Sequence, residues 1–357
     1  MKTGTANLPL HPGQCPKWLF PRMKAMSREI SKIIIYEYGQ EEFLRRLSDP
    51  FFFQSLGCVL GYDWHSSGLS TVTCGALKEA INKEEMGIAV CGGKGKTSRK
   101  APSEIEKAAD FFSLNEKNKE SLIYSSKMSA KIDNTAVQDG YQLYHHCFIF
   151  TEKGDWCVIQ QGMNSFNRYA RRYHWFSNFS SFIIEPHSAI CCDQKEKTLN
   201  MVSKQSREAQ EVSVDLVNEN IGQRMLKQRT LCNFDEKVLS LPYHHDLGRI
   251  SKSTSLALIN AYEIQPENYE ELLSIRGIGP KAIRSLALIS QLIYGKEPSW
   301  EDPAKFSFAH GGKDGIPYPV DRKLMDSSTG MLRNALENAK IGDKERLHAL
   351  KRLNDFI

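Results

Sequence analysis

The stretch Glu271 to Gly295, ELLSIRGIGPKAIRSLALISQLIYG, constrains this chain more than any other. Leu272, Leu273 and Ile275 fit the last turns of a short helix, and Gly277-Ile278-Gly279 makes a tight turn. Pro280 then stands where a second helix begins, a position at which its missing N–H costs nothing. Leu286, Ile289 and Ile293 repeat at helical spacing behind it. The alternative is an ordinary helical hairpin whose glycines do no more than turn the chain.

At 357 residues the chain is long enough for two domains with their own cores. A formal charge of only +5 means that any surface for nucleic acid must be a local patch. No segment approaches the roughly 20 apolar residues of a membrane span. The opening MKTGTANLPLHPGQCPKWLF lacks the apolar core of a secretion signal. Nine cysteines without repeated close spacing read as reduced, mostly buried thiols in a cytoplasmic protein. They form neither a zinc ribbon nor a disulfide framework.

In chain order, residues 20–46 show helical spacing, Ser48-Asp49-Pro50 ends that element, and FFFQSLGCVLGYDW begins another. Leu69–Asn82 is a predicted amphipathic helix and Gly87–Cys91 a short strand. A helix after Pro102 is expected to start with Ser103 and Glu106 as a capping box. Residues 113–121 read as loop. YQLYHHCFIF, TEKGD and WCVIQQGMN form a β-hairpin, and the run after it adds one or two more strands or a short helix and strand. The polar, lysine-rich stretch from Cys191 to Gln210 reads as linker. The expected architecture is an α+β catalytic domain over 1–195 and a connector over 196–230. An all-α helix-hairpin-helix domain over 231–357 completes it.

The loop Val90 to Thr97 fails the phosphate-loop pattern at its first glycine, so an NTPase is not expected. Its cations Lys94, Lys96, Arg99 and Lys100 still suit contacts to phosphate, unless they only solvate a turn. Four polar clusters follow. They surround Asp63 and His65, Lys131 to Asn134 leading to Gln138 to His146, Gln160 to Asn164, and Ala170 to Trp175, with Glu185 and His187 after them. A hairpin closed at Lys153–Gly154 sets Gln160 or Gln161 opposite His145–His146. Asp139, His146, Gln160, Arg171 and His174 are the candidate catalytic residues. Asp63, His65, Asp139 and His146 are candidate ligands for a divalent Mg or Mn. A metal-dependent phosphodiesterase needs such ligands, with arginine to neutralise the transferring phosphate. Any single histidine here is more at home as a buried or surface hydrogen-bonding residue of the fold.

The segment 271–295 resembles the helix-hairpin-helix module of DNA-repair and recombination proteins. The resemblance implies that Gly277, Ile278 and Gly279 bring main-chain N–H groups to a DNA phosphate, with Lys281 and Arg284 adding charge. RNA remains a second candidate partner. TGTANLPLH, RLSDPFFFQSLGCVLGYDWHSSG, GGKGKTSRK, QDGYQLYHH, QQGMN and ARRYHW resemble a prokaryotic domain-of-unknown-function family, number 763, over nearly the whole chain. That family brings no reaction with it. A weaker similarity to helix-hairpin-helix DNA glycosylases implies Lys281 as a Schiff-base lysine and Asp321 as its carboxylate partner. Here the segment between them is longer than usual, and the four-cysteine iron–sulfur pattern is missing. The readings are therefore a DNA-processing protein with nuclease chemistry, a glycosylase or lyase, and a non-catalytic DNA-binding adaptor.

Overall fold

The computed structural model describes residues 8–10, 15–62, 66–82, 85–192, 194–227, 251–304 and 321–356. Its centre is an antiparallel sheet of β1 (Ile88–Lys94), β3 (Gln142–Thr151), β4 (Trp156–Asn164), β5 (Tyr169–Phe176) and β6 (Ala189–Cys191), in that spatial order. A two-stranded ribbon pairs β2 (Val137–Gln138) with β7 (Leu199–Asn200). The expected hairpin forms with His146 opposite Gln160 and His145 opposite Gln161. A bulge between Leu143 and His145 breaks the strand alternation. Tyr144 therefore meets Gln161, on the face opposite His146, and does not share a face with His146 as simple alternation predicts.

Both faces of the sheet are apolar, so both must be covered. On one face Phe148, Phe150, Trp156, Val158 and Trp175 pack with α5 (Ala101–Phe111), α6 (Glu116–Lys131) and α7 (Arg207–Asn218). The same core takes in α8 (Ile221–Lys227), α9 (Lys252–Ile264), α10 (Tyr269–Ser274) and α11 (Pro280–Tyr294). On the other face Cys147, Ile149, Cys157 and Ile159 pack with α1 (Leu19–Tyr38), α2 (Gln40–Leu47), α3 (Pro50–Val59) and α4 (Gly68–Ile81). The C-terminal pair, α12 (Arg322–Asn338) and α13 (Asp343–Phe356), completes this second layer. Arg46 donates to Ser327 and Ser328 of α12, and Arg352 of α13 donates to the Val59 carbonyl.

A mixed α and β chain with C-terminal helices was expected, and it is what forms. The cores do not follow the expected boundaries. Residues 207–218, assigned to a connector, bury Val214, Leu216 and Val217 under the sheet. The hairpin helices share that core, whereas the last two helices belong with the first four. An amphipathic pattern says that a helix is covered, and leaves open by what.

Two local expectations also change. Residues from Glu116 on are helical, because Asn115 caps the Asn118 N–H and Lys119 pairs with Asp110 and Glu116. The capping box after Pro102 does not form: a 3-10 helix over Gly95–Lys100 runs directly into α5, and the Ser103 hydroxyl donates to the Lys100 carbonyl.

Candidate functional site

The glycine turn is built as its sequence demands. Asn268 caps α10 through the Glu271 N–H, and Gly279 is the N-cap of α11 with Pro280 after it. Gly277 takes φ +97°, open to glycine and strained for other residues. Gly279 has ordinary extended φ, and a Cβ on it would meet nothing nearer than the Gly277 carbonyl at 3.9 Å. Ile278 is fully buried and pins the turn, while Arg276, Gly277 and Lys281 are exposed. The first N–H groups of α11 have no intrahelical acceptor, and the helix dipole adds a partial positive charge there.

Two side chains at this turn depart from the sequence reading. Arg284 is buried, and its Nε donates to Gln138 Oε1 at 2.8 Å. Gln138 in turn donates to the Pro280 carbonyl at 2.9 Å. Arg284 therefore fastens α11 to β2. In its place stands Lys131, at the end of α6, whose Nζ reaches the Ile275 carbonyl at 3.4 Å. Half-burial lowers its pKa from the ordinary lysine value. Lys131 opens one of the polar clusters of the sequence, but nothing there ties it to the glycine turn, which is distant in the chain and which it reaches through packing.

The glycine-basic loop keeps Lys94, Lys96, Arg99 and Lys100 exposed. Its Gly92 N–H donates to Glu104 Oε2 at 2.7 Å, and Lys78 Nζ reaches the same oxygen at 2.6 Å. An internal carboxylate thus occupies a donor that a phosphate would use.

The predicted catalytic set divides by strand parity. Gln160, His146, Arg171, Tyr173 and Trp175 share one face, while Arg172 and His174 project from the other. His174 lies edge-on to Phe53 with ring centroids 5.7 Å apart, so it cannot join the Asp139 cluster. On the first face two buried carboxylates organise everything. Asp133 sits in a π-helical turn over Ile132–Ala136. It accepts from Gln160 Nε2 at 2.7 Å, from Trp175 Nε1 at 3.0 Å, and from His187 Nε2. Gln160 Oε1 meets His146 Nδ1 at 3.0 Å, and Ser126 meets His146 Nε2 at 2.9 Å.

Asp139 accepts from the Tyr173 hydroxyl at 2.6 Å, Arg171 Nη1 at 2.9 Å and the Tyr141 N–H at 3.0 Å. Arg171 also makes a bidentate pair with Asp302, at 3.0 and 2.7 Å, and stacks over Tyr141 at 4.6 Å. Burial pushes the Asp139 carboxyl up, against the pull of Arg171. Burial also opposes the Arg171 charge, but Asp139 and Asp302 outweigh it and its pKa rises. Burial lowers His145 to about 3 and His146 to about 4, so both are neutral near pH 7.

Asp139 and His146 were expected to share a metal, but each is engaged by different partners. Among the described residues no group of three or more His, Cys, Asp and Glu converges to hold an ion. Asp63 and His65 lie outside the described residues. Asp321 caps α12 through the Leu324 N–H at 2.9 Å, a role that accounts for it without lyase chemistry. The described cysteines are free thiols, buried except for Cys15. No described helix is long and apolar enough to cross a membrane.

Sequence reading missed Asp302, and it placed Asp133 and His187 within the polar clusters without assigning either a role. Asp302 carried no signal beyond an Asp-Pro step. The family described as a protein of unknown function, DUF763, matches residues 4–320. No curated protein and no solved structure matches the chain.

Proposed function

The chain belongs to the DUF763 family of proteins of unknown function, and from that premise we propose that it binds duplex DNA in DNA processing, gripping the backbone at the turn before α11. One observation carries the reading. Among the described residues, Gly277 and Gly279 put no side chain over the head of α11, which lies between exposed Arg276 and Lys281, with Lys131 behind and Ile278 anchoring the turn in the core. A helix N-terminus so flanked suits a phosphodiester and reads no base.

Release of counterions by Arg276, Lys281 and Lys131 sets the expected salt response. The logarithm of affinity falls against the logarithm of salt with a slope of about −2.7, from 0.9 per neutralised phosphate. Fluorescence anisotropy of a labelled duplex across a salt series measures it. Lys281→Glu should cut the slope by about 1. Retention that ignores salt, or that ignores Lys281→Glu, removes the proposal. No reaction is assigned to Asp139, His146 or Arg171: Asp139 and Arg171 bond each other, and His146 bonds Gln160 and Ser126.

A further inference from the structure

The basic loop after β1 and the glycine turn before α11 lie far apart in the chain and at one end of the same helix pair. Gly93 of β1 stands opposite His146 of β3, and the His146 ring bonds Ser126 of α6 at 2.9 Å. The 3-10 helix over Gly95–Lys100 continues β1 and runs into the start of α5. Lys119, near the start of α6, pairs with Asp110 at the end of α5, so the two helices are antiparallel. The end of α6 therefore comes back to the loop. We propose that the loop is a second backbone-gripping site, joined to the glycine turn by Lys127 and Lys131, so that one duplex lies across both. The proposal rests on the reading of the glycine turn given above.

The buried face of α6 fixes the route. Leu122, Ser125, Ser126, Met128 and Ser129 are buried, which turns Lys127 outward. Lys119 of the same helix meets α5, and Tyr124 meets Glu270 of α10, so Lys127 stands on the outer ridge between those two neighbours. Lys131 follows one turn later, about 6 Å further along the axis. Its Nζ reaches the Ile275 carbonyl, next to Arg276. Positive charge thus continues from the loop through Lys127 and Lys131 to Arg276 and Lys281.

These charges are not neutralised inside the protein. Among the described residues, Lys94, Lys96, Arg99 and Lys100 make no ion pair, and neither do Lys127, Lys131, Arg276 and Lys281. Neighbouring lysines do: Lys78 pairs with Glu104, and Lys119 with Asp110 and Glu116. Glu104, which touches the loop at the Gly92 N–H, is engaged by Lys78, and exposed Glu106 stands beside Lys107. The loop therefore acts through its side chains and not through that amide. The row ends at Tyr124, beyond which α6 carries Glu120 and Glu116.

The same surface favours a duplex over a single strand. A single strand is held by aromatic rings that stack its bases between cations. Among the described residues the loop and α6 expose one ring, Tyr124, whose hydroxyl is on Glu270 and whose edge meets Phe182. A row of cations without a stacking platform contacts phosphates alone.

The test uses the full-length chain and anisotropy of a labelled duplex of about 20 base pairs, between about 50 and 200 mM salt. The glycine turn alone gives the slope of about −2.7. Adding Lys127 and the four loop cations brings it to about −7, a loss of about ten-thousandfold in affinity over that range. Lys96→Gln, Arg99→Gln and Lys100→Gln together, all at exposed positions, should lower the slope by about 2.7 with an unchanged melting temperature. Lys127→Gln alone should lower it by about 0.9, and serves if the triple variant fails to fold. Either loss should add to that of Lys281→Glu, because the same duplex meets both places. The proposal is overturned if the folded loop variant and Lys127→Gln keep the parent's slope, or if a single strand of equal length binds as tightly as the duplex. With the loop variants silent and Lys281→Glu still effective, the glycine turn stands and the loop falls. A slope lowered by the loop variants but not by Lys281→Glu removes the glycine-turn reading, and with it the shared duplex.

Discussion

Two glycines two residues apart offer a way to separate folding from binding. Gly279→Ala places its methyl in open space, with nothing nearer than a carbonyl oxygen at 3.9 Å, and φ there is ordinary. Its cost is that of alanine at an N-cap, below about 1 kcal/mol. At about 2.1 cal/mol/K per residue, a chain of 357 residues unfolding in one transition would lose about 1 °C in Tm. Gly277→Ala is different. It forces alanine to φ +97° and brings the new methyl to 3.1 Å from the Ala257 Cβ. Left-handed strain and crowding together cost about 2–3 kcal/mol, or roughly 3–4 °C.

Binding should rank the two the other way round in what it reveals. If a phosphate approaches the head of α11, the Gly279 methyl stands between it and the N–H groups. Loss of charge-assisted hydrogen bonds then lowers duplex affinity by about 1.5–3 kcal/mol, roughly ten- to a hundredfold. Thermal melts and duplex anisotropy on the same samples decide the matter. A Gly279→Ala protein that melts within about 1 °C of the parent and binds duplex equally well would refute the reasoning. In that case Gly279 would serve only to turn the chain.

Lys131→Met should lower the salt slope of duplex binding by about 1, as Lys281→Glu does, although the two lie far apart in sequence; anisotropy across the same salt series checks it. Asp302→Ala leaves Arg171, a fully buried cation, with one carboxylate where it had two. A loss of about 3–5 kcal/mol is expected, read from the urea midpoint at unchanged slope. His146 has a folded pKa of about 4, below the ordinary histidine value, so the unfolded chain binds the extra proton in between. Its contribution to stability is thus fully present above about pH 6.5 and lost as pH falls toward 4. Relative to His146→Gln, the parent should lose roughly 3 kcal/mol over that window, measured by urea unfolding at several pH values.

The local elements were largely legible. Pro280 and two glycines specify the turn, and the apolar runs on either side of Lys153–Gly154 specify the central hairpin, while the structure settles that Gln160 is the residue opposite His146. The polar clusters at Asp139, Gln160 and Arg171 did mark a place where side chains converge. What they form is a set of internal hydrogen bonds and ion pairs, to which Tyr173, Tyr141 and Asp302 contribute. His174 was misjudged through parity: adjacent residues of one strand look alike in sequence and stand on opposite faces of a sheet. The loop at 113–121 was misjudged because the Asn115 cap and the Lys119 pairs outweigh a polar composition.

Sequence by itself determined the glycine turn, the central hairpin and which helices need a cover, since those depend on neighbours a few residues away. Tertiary structure alone decided the partners. It put α12 and α13 on the first helices, turned Arg284 inward to Gln138, brought Lys131 to the turn, and set His187 on Asp133. The physical reason is that a buried charge or polar atom takes whichever complementary group the packed layers bring within about 3 Å, and chain separation does not enter that choice.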